Sequence, residues 1–299
     1  MKIECYLPES VLSNEDLVKV YPEWTAEKIL SKTGIASRHV VAENETALDL
    51  ATKAAQKLDL AGVDFVLLCT QSAEYRLPST ACLLTERLGL PKTVGALAFD
   101  HGCSGFVYGL SLAKGLLAGG VARKVLFVTA ETYTKYISAE DKSTRTIFGD
   151  GASATIIDEK DVGKIGAFSF GTNGGGAEKL IVRDGKLFMD GPEIFNFTLD
   201  IVPKTMADVL SRNGMTADDV DLYVFHQANK FMLDTIRKVN GLPRDKYYVN
   251  LETTGNTVSS TIPIAMKQLS DAGKLQSGMK VMLMGFGVGL SWGATILRT

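Results

Sequence analysis

The chain has 299 residues, 45% hydrophobic and 22% charged, and its 32 basic and 34 acidic side chains give a net charge of −2. These values exclude wholesale disorder, and the near balance of charge excludes a nucleic-acid binder held mainly by phosphate contacts. No apolar run reaches the ~18 residues of a membrane span, and the N-terminus MKIECYLPES lacks the long apolar core of a secretory signal.

In chain order, hydrophobic periodicity predicts a helix over Ala47–Leu58, a strand over Phe65–Cys69, a helix over Thr80–Leu88 and a strand over Ala96–Phe99. A helix over Ser104–Leu117 and strands over Val125–Val128 and Ala154–Ile157 follow. The remainder reads as a helix over Ile194–Asn213, a strand over Leu222–Phe225, a helix over Asn229–Val239 and a strand over Tyr247–Val249. Last come a helix over Ser259–Ala272 and strands over Val281–Met284 and Ala294–Leu297. The alternation is that of an α/β protein.

The chain also repeats itself. VDFVLLCTQSA begins at Val63, and VDLYVFHQAN begins 157 residues later at Val220. Each is followed by a helical stretch ending in Gly-Leu-Pro, then a strand, a small-residue turn and a helix. Each closes on Lys-Val and an apolar strand, at Lys124 and Lys280. Two βαβ-type halves are expected, residues 1–161 and 162–299, packed against each other. Sites in such sheets gather at the carboxyl ends of strands.

Three strand ends carry unusual residues: Asp100-His101-Gly102-Cys103-Ser104-Gly105, His226-Gln227-Ala228-Asn229 and Thr254-Gly255-Asn256-Thr257. Pseudo-symmetric halves would bring Cys103 and Asn256 together from opposite sides, with His226 beside them. Cys103 precedes an almost wholly apolar helix, where unpaired N–H groups and the helix dipole favour thiolate over thiol. A small core thiol is the simpler alternative. The order Cys, His, Asn also occurs in papain-like peptidases, so the set alone leaves the reaction open.

The other cysteines, Cys5, Cys69 and Cys82, form no CxxC pair and no metal-ligand spacing with His39, His101 or His226. A reduced, cytoplasmic protein without a metal site is expected. Asp150, between two glycines, reads as a buried turn anchor. The glycine cluster from Gly171 to Gly176 reads as a turn, because it lacks both phosphate-loop spacings.

The ordered motifs LPES, KTGIASRH, NET, LPSTAC, GCSGF, FGDGASA, MDGPEIF, HQAN, GNT and GFGVGLSWG run from near Leu7 to Gly293. In this set the chain resembles the thiolase superfamily of condensing enzymes, and within it the β-ketoacyl-acyl-carrier-protein synthase III type. The resemblance implies a thiolase-like fold, two duplicated halves in an α/β/α/β/α layering. It implies acyl transfer from a thioester to Cys103, then decarboxylative Claisen condensation with a malonyl-thioester. His226 and Asn256 would hold the enolate oxygen, and the backbone N–H groups of Cys103 and Val288 would form the oxyanion hole. It further implies a homodimer with no tightly bound cofactor, whose substrates carry phosphopantetheine on acyl carrier protein or coenzyme A.

Other positions shape those expectations. Phe286 matches a position that shields the site. Leu77 stands where many members have an aromatic residue that reaches across the dimer and limits acyl length. His101 replaces a small residue near the nucleophile, either as an interface residue or as a second polar group in the site. Lys32, Asn229 and Lys230 are expected at the carrier or coenzyme A entrance. Trp24 does not fall at the family's adenine-stacking position, which Lys28 occupies, and Phe231 fills a slot that is often arginine. Three other functions remain: an acyltransferase forming an ester or amide without a C–C bond, a catalytically silent partner subunit, and a cysteine peptidase.

Overall fold

The computed structural model describes residues 1–299. The N-terminal region contains strands β1 (Lys2–Tyr6) and β2 (Ser10–Ser13), helices α1 (Asn14–Val20) and α2 (Ala26–Thr33), strand β3 (Ser37–Val40) and helix α3 (Ala47–Ala55). Next are β4 (Phe65–Cys69), α4 (Thr80–Arg87), β5 (Gly95–Phe99), α5 (Gly105–Ala118), β6 (Lys124–Glu131), α6 (Lys142–Arg145) and β7 (Gly151–Asp158). The chain continues with β8 (Ile165–Thr172), β9 (Leu180–Arg183), β10 (Lys186–Met189), α7 (Gly191–Arg212), β11 (Leu222–Phe225) and α8 (Lys230–Val239). It ends with α9 (Thr261–Asp271), β12 (Lys280–Gly287) and β13 (Ser291–Arg298).

Two sheets organise the molecule, in the orders β1-β7-β6-β4-β5 and β11-β12-β13-β8. Read from the opposite end, the second repeats the first: β8, β13, β12 and β11 stand in for β1, β7, β6 and β4. Strands β4, β5 and β6 are parallel, as are β11 and β12, and the remaining neighbours in both sheets are antiparallel.

Side-chain alternation produces the layers. In β4, Leu67 faces a core shared with α5 and α9, whereas Val66 and Leu68 face α3 and α4. In β12, Val281 and Leu283 face the same central core, whereas Met282 and Met284 face α7 and α8. A strand buried on both faces must be apolar along its buried length, and β4 and the Val281–Gly287 stretch of β12 are. The result is five layers: α3 and α4, the first sheet, α5 and α9, the second sheet, then α7 and α8. The α/β class and layering expected from sequence are therefore found. No helix is long and apolar enough to cross a membrane.

Tyr247–Val249 is not a strand, contrary to expectation. Tyr247 makes one isolated bridge with Tyr223, and the ladder stops there. The Gln227 carboxamide takes its place, donating to the carbonyls of Phe225 (2.7 Å) and Tyr248 (3.3 Å) and accepting from the Asn250 N–H (2.9 Å). A side chain thus fills the rungs a fifth strand would have made.

Candidate active site

The strand ends predicted to converge do so. The turn before α5 brings Cys103, the end of β11 brings His226, and the turn before α9 brings Asn256 to one cavity of about 360 Å³. Its other walls are mainly apolar, with Phe148, Leu180, Met189, Ile194 and Phe195 among them. Asn256 Nδ2 lies 3.5 Å from His226 Nε2. The Asn256 backbone is clamped to the other half of the chain: its N–H donates to Ile147 O (2.9 Å), and its carbonyl accepts from Gly149 N–H (3.0 Å).

Cys103 differs electrostatically from the sequence expectation. Burial pushes its thiol up to about 12, although the backbone N–H groups of Val288 and of Cys103 itself oppose the rise. The expected net stabilisation of thiolate by the helix start is not found. The sulfur is shut away from water, and that desolvation outweighs the nearby N–H groups.

The Val288 side chain lies 2.4 Å from where a Cβ on Gly102 would be, which makes Val288 a neighbour of the nucleophile's turn. A Cβ on Gly287 would lie 2.9 Å from Cys103 Sγ, and one on Gly285 would lie 2.5 Å from Cys103 O. Only glycine permits this approach. Phe286, between them, presents its ring edge-on to His226 with centroids 5.7 Å apart and lines the cavity.

His226 is held neutral, its pKa pushed down to about 3 by burial. Its Nδ1 lies 2.7 Å from the Thr261 hydroxyl, which lies 3.1 Å from the Val258 carbonyl. The Thr261 hydroxyl has one proton: given to the Val258 carbonyl, it leaves the oxygen to accept from Nδ1–H, and given to Nδ1, it leaves Nε2–H to donate into the cavity. The sequence reading missed Thr261. Its only signal was a hydroxyl one turn beyond GNT.

Asp150 is the buried turn anchor expected, accepting from the N–H groups of Val41 (2.8 Å) and Thr134 (3.0 Å) and from the Thr134 hydroxyl. No group of three His, Cys, Asp or Glu side chains is placed to hold a metal.

Two residues expected to shape the site lie away from the cavity wall. The His101 ring packs on Tyr108 and Phe99, with centroids 4.3 and 6.2 Å apart. His101 is not among the residues that line the cavity, and its carbonyl accepts from Cys69 Sγ. Leu77 is 79% exposed and touches no part of this chain's cavity.

Of the residues expected to bind the carrier, Asn229 caps α8 by accepting from the Met232 N–H (2.9 Å) and lines the cavity. Lys230 pairs with Asp234 at 2.9 Å, and its stem packs against Gly34. Lys32 lies with Lys28 and Lys142 around the Trp24 ring, at 5.5, 5.2 and 6.0 Å. The patch therefore keeps an aromatic ring, just before α2 and four residues ahead of the Lys28 position. Exposed Phe231 stacks on Phe195 with centroids 5.4 Å apart and forms part of the cavity rim.

Two family models match the chain. Residues 99–174 match 3-oxoacyl-[acyl-carrier-protein] synthase III, and residues 210–299 match the C-terminal part of the same family. The chain is 36% identical to the β-ketoacyl-[acyl-carrier-protein] synthase III of Oceanobacillus iheyensis, covering 98% of this chain and 96% of that protein. It is 33% identical to the corresponding Caldanaerobacter subterraneus protein, covering 98% and 95%. Among solved structures, a 3-oxoacyl-(acyl-carrier-protein) synthase III superposes with a TM-score of 0.97 at 46% identity, over 100% of this chain and 98% of the other. The Thermus thermophilus β-ketoacyl-[acyl-carrier-protein] synthase III gives 0.92 at 34% identity, over 99% and 98%.

Proposed function

Because the chain belongs to the 3-oxoacyl-[acyl-carrier-protein] synthase III family of condensing enzymes, we propose that Cys103, His226 and Asn256 carry its two half-reactions, as an acyltransferase that forms a C–C bond. In the first, Cys103 Sγ attacks an acyl-thioester carbonyl, the thiol leaves, and the proton lost by Cys103 ends on it. In the second, a malonyl-thioester loses CO2. The electron pair of the broken bond forms an enolate, whose carbon attacks the acyl-Cys103 carbonyl and expels the Cys103 thiolate, which takes up a proton.

Both half-reactions place negative charge on an oxygen, and preorganised donors supply most of the rate in such steps. The N–H groups of Cys103 and Val288 serve the acyl oxygen. His226 Nε2–H and Asn256 Nδ2–H serve the enolate oxygen. The observation that carries this assignment is the shared cavity, where sulfur, imidazole and carboxamide meet. No resident cofactor is required, because decarboxylation supplies the electron pair.

The donor thioester carries phosphopantetheine on an acyl carrier protein or on coenzyme A. Lys32, Lys230 and Asn229 form its entrance, supported by the basic patch around Trp24. Long-range attraction to an acidic carrier favours the protein-borne donor. We also propose a division into halves 1–161 and 162–299, supported by the matching strand orders, and a homodimer. The parallel edge strand β5, with Leu97 46% exposed, and the projecting Leu77 support the homodimer. In it, Leu77 would widen or reshape the partner's acyl pocket, relative to the aromatic residue common at this position. A cytoplasmic location is supported by a nucleophile that must stay reduced.

The test is intact-mass analysis after incubation with acyl-CoA and acyl-carrier thioesters, followed by addition of malonyl-carrier thioester. An acyl adduct on Cys103 that is discharged with CO2 release is expected, with no adduct in Cys103→Ala. An adduct that persists with malonyl thioester but is discharged by an alcohol or amine would support an ester- or amide-forming enzyme instead.

A further inference from the structure

Glu131 ends β6 outside the cavity wall, and no step above uses it. Its carboxyl is fully buried, and each of its hydrogen bonds reaches a segment that runs to the site. Oε1 accepts from the Ser259 hydroxyl at 2.8 Å. Oε2 accepts from the Ser72 hydroxyl at 2.9 Å and the Gln71 N–H at 3.1 Å. Ser259 comes from the second half of the chain, and Ser72 and Gln71 from the first.

Ser259 follows Val258, whose φ is +56°. A β-branched residue in that region is strained and persists only where its surroundings enforce it. This strained peptide bonds Asn256 directly and lies beside the Thr261 hydroxyl that contacts His226. Val258 N–H donates to Asn256 Oδ1 at 2.9 Å, which turns Nδ2 toward His226. Val258 O lies 3.1 Å from the Thr261 hydroxyl, which in turn lies 2.7 Å from His226 Nδ1. On the other side, Gln71 Oε1 lies 2.6 Å from where a Cβ on Gly102 would be, beside Cys103.

We propose that Glu131 is a positioning residue: through Ser259 it holds Val258 in its left-handed conformation, so that Asn256 and His226 stay aimed at one point. This rests on the assignment of Asn256 and His226 as the enolate donors.

The experiment compares wild type, Ser259→Ala and Glu131→Gln. It measures the rate of Cys103 acylation by mass, the kcat and KM for CO2 release from malonyl thioester, and the melting temperature. Ser259→Ala is expected to lower decarboxylation kcat by about 10- to 100-fold, the range expected of a misplaced catalytic group. Its KM and its acylation rate should stay within about twofold, because Cys103 and the Val288 N–H do not depend on Ser259. Glu131→Gln should lower decarboxylation in the same direction.

An unchanged decarboxylation rate in Ser259→Ala overturns the proposal. So does a parallel loss of both half-reactions together with a fall in melting temperature, which would mark a purely structural role. If the wild type releases no CO2, the functional assignment fails first. A crystal structure of Ser259→Ala then decides the positioning role, since Val258 retaining its positive φ and the Asn256–His226 spacing staying unchanged would refute it.

Discussion

Cys103 shows how burial can reverse the expected protonation of a single residue. A thiol before a helix start is ordinarily a candidate thiolate, yet here desolvation holds it up to about 12. The rate of alkylation by iodoacetamide is therefore expected to rise about tenfold per pH unit from pH 7 to 9 without levelling. A plateau below pH 8, read by mass spectrometry of Cys103, would mean a stabilised thiolate instead. Glu131 gives a second test. Burial raises its pKa from 4.5 to about 8, so between those values the folded chain keeps a proton that the unfolded chain releases. Stability falls as pH rises through that window, by up to about 1.4 kcal/mol per unit. Glu131→Gln removes this contribution, so urea titrations should show the variant gaining on wild type from pH 5 to pH 8. A pH-independent difference would contradict the linkage.

Among the elements, those with strong periodicity were legible, and those closed by side chains were not. Helix α5 and strands β4, β6, β11 and β12 fall close to their predicted ranges, because an apolar helix and doubly buried strands leave a continuous hydrophobic record. The short β9–β10 hairpin escaped, although Asp184-Gly185, both at positive φ, is a strong hairpin turn signal. Tyr247–Val249 was read as a strand because its side chains are right for one, whereas Gln227 occupies its hydrogen-bonding edge. Gln227→Leu would orphan the Asn250 N–H and two carbonyls, and is expected to cost about 2–4 kcal/mol in urea unfolding. A cost below about 0.5 kcal/mol would mean that water replaces the amide. The loop after β12 makes a sharper demand. Gly287→Ala should abolish Cys103 acylation while leaving the circular dichroism spectrum unchanged, because its Cβ would occupy the space beside Sγ. Normal acylation in that variant would remove the case for close approach by this loop.

For the whole molecule, the two sheets of matching strand order press α5 and α9 between them, and the strand ends of both halves open on the same cavity. The edge strand β5 leaves one boundary of the first sheet unpaired, where the proposed homodimer would form. Leu97→Lys should shift a dimer toward monomer in analytical ultracentrifugation, since a charge on an edge opposes pairing. An unchanged dimer would place the interface elsewhere. Sequence alone determined the α/β class, the repeated segments and the choice of Cys103, His226 and Asn256 as candidates, because periodicity, repetition and motif order are written along the chain. The tertiary structure decided what those groups are beside. It set the high pKa of Cys103, the closeness of the Gly287–Val288 loop to its turn, the packing of the His101 ring on Tyr108, and the contacts of Thr261 with His226 and of Val258 with Asn256. Each depends on burial or on contacts between segments far apart in sequence, such as Ser259 and Glu131, and no local pattern encodes those.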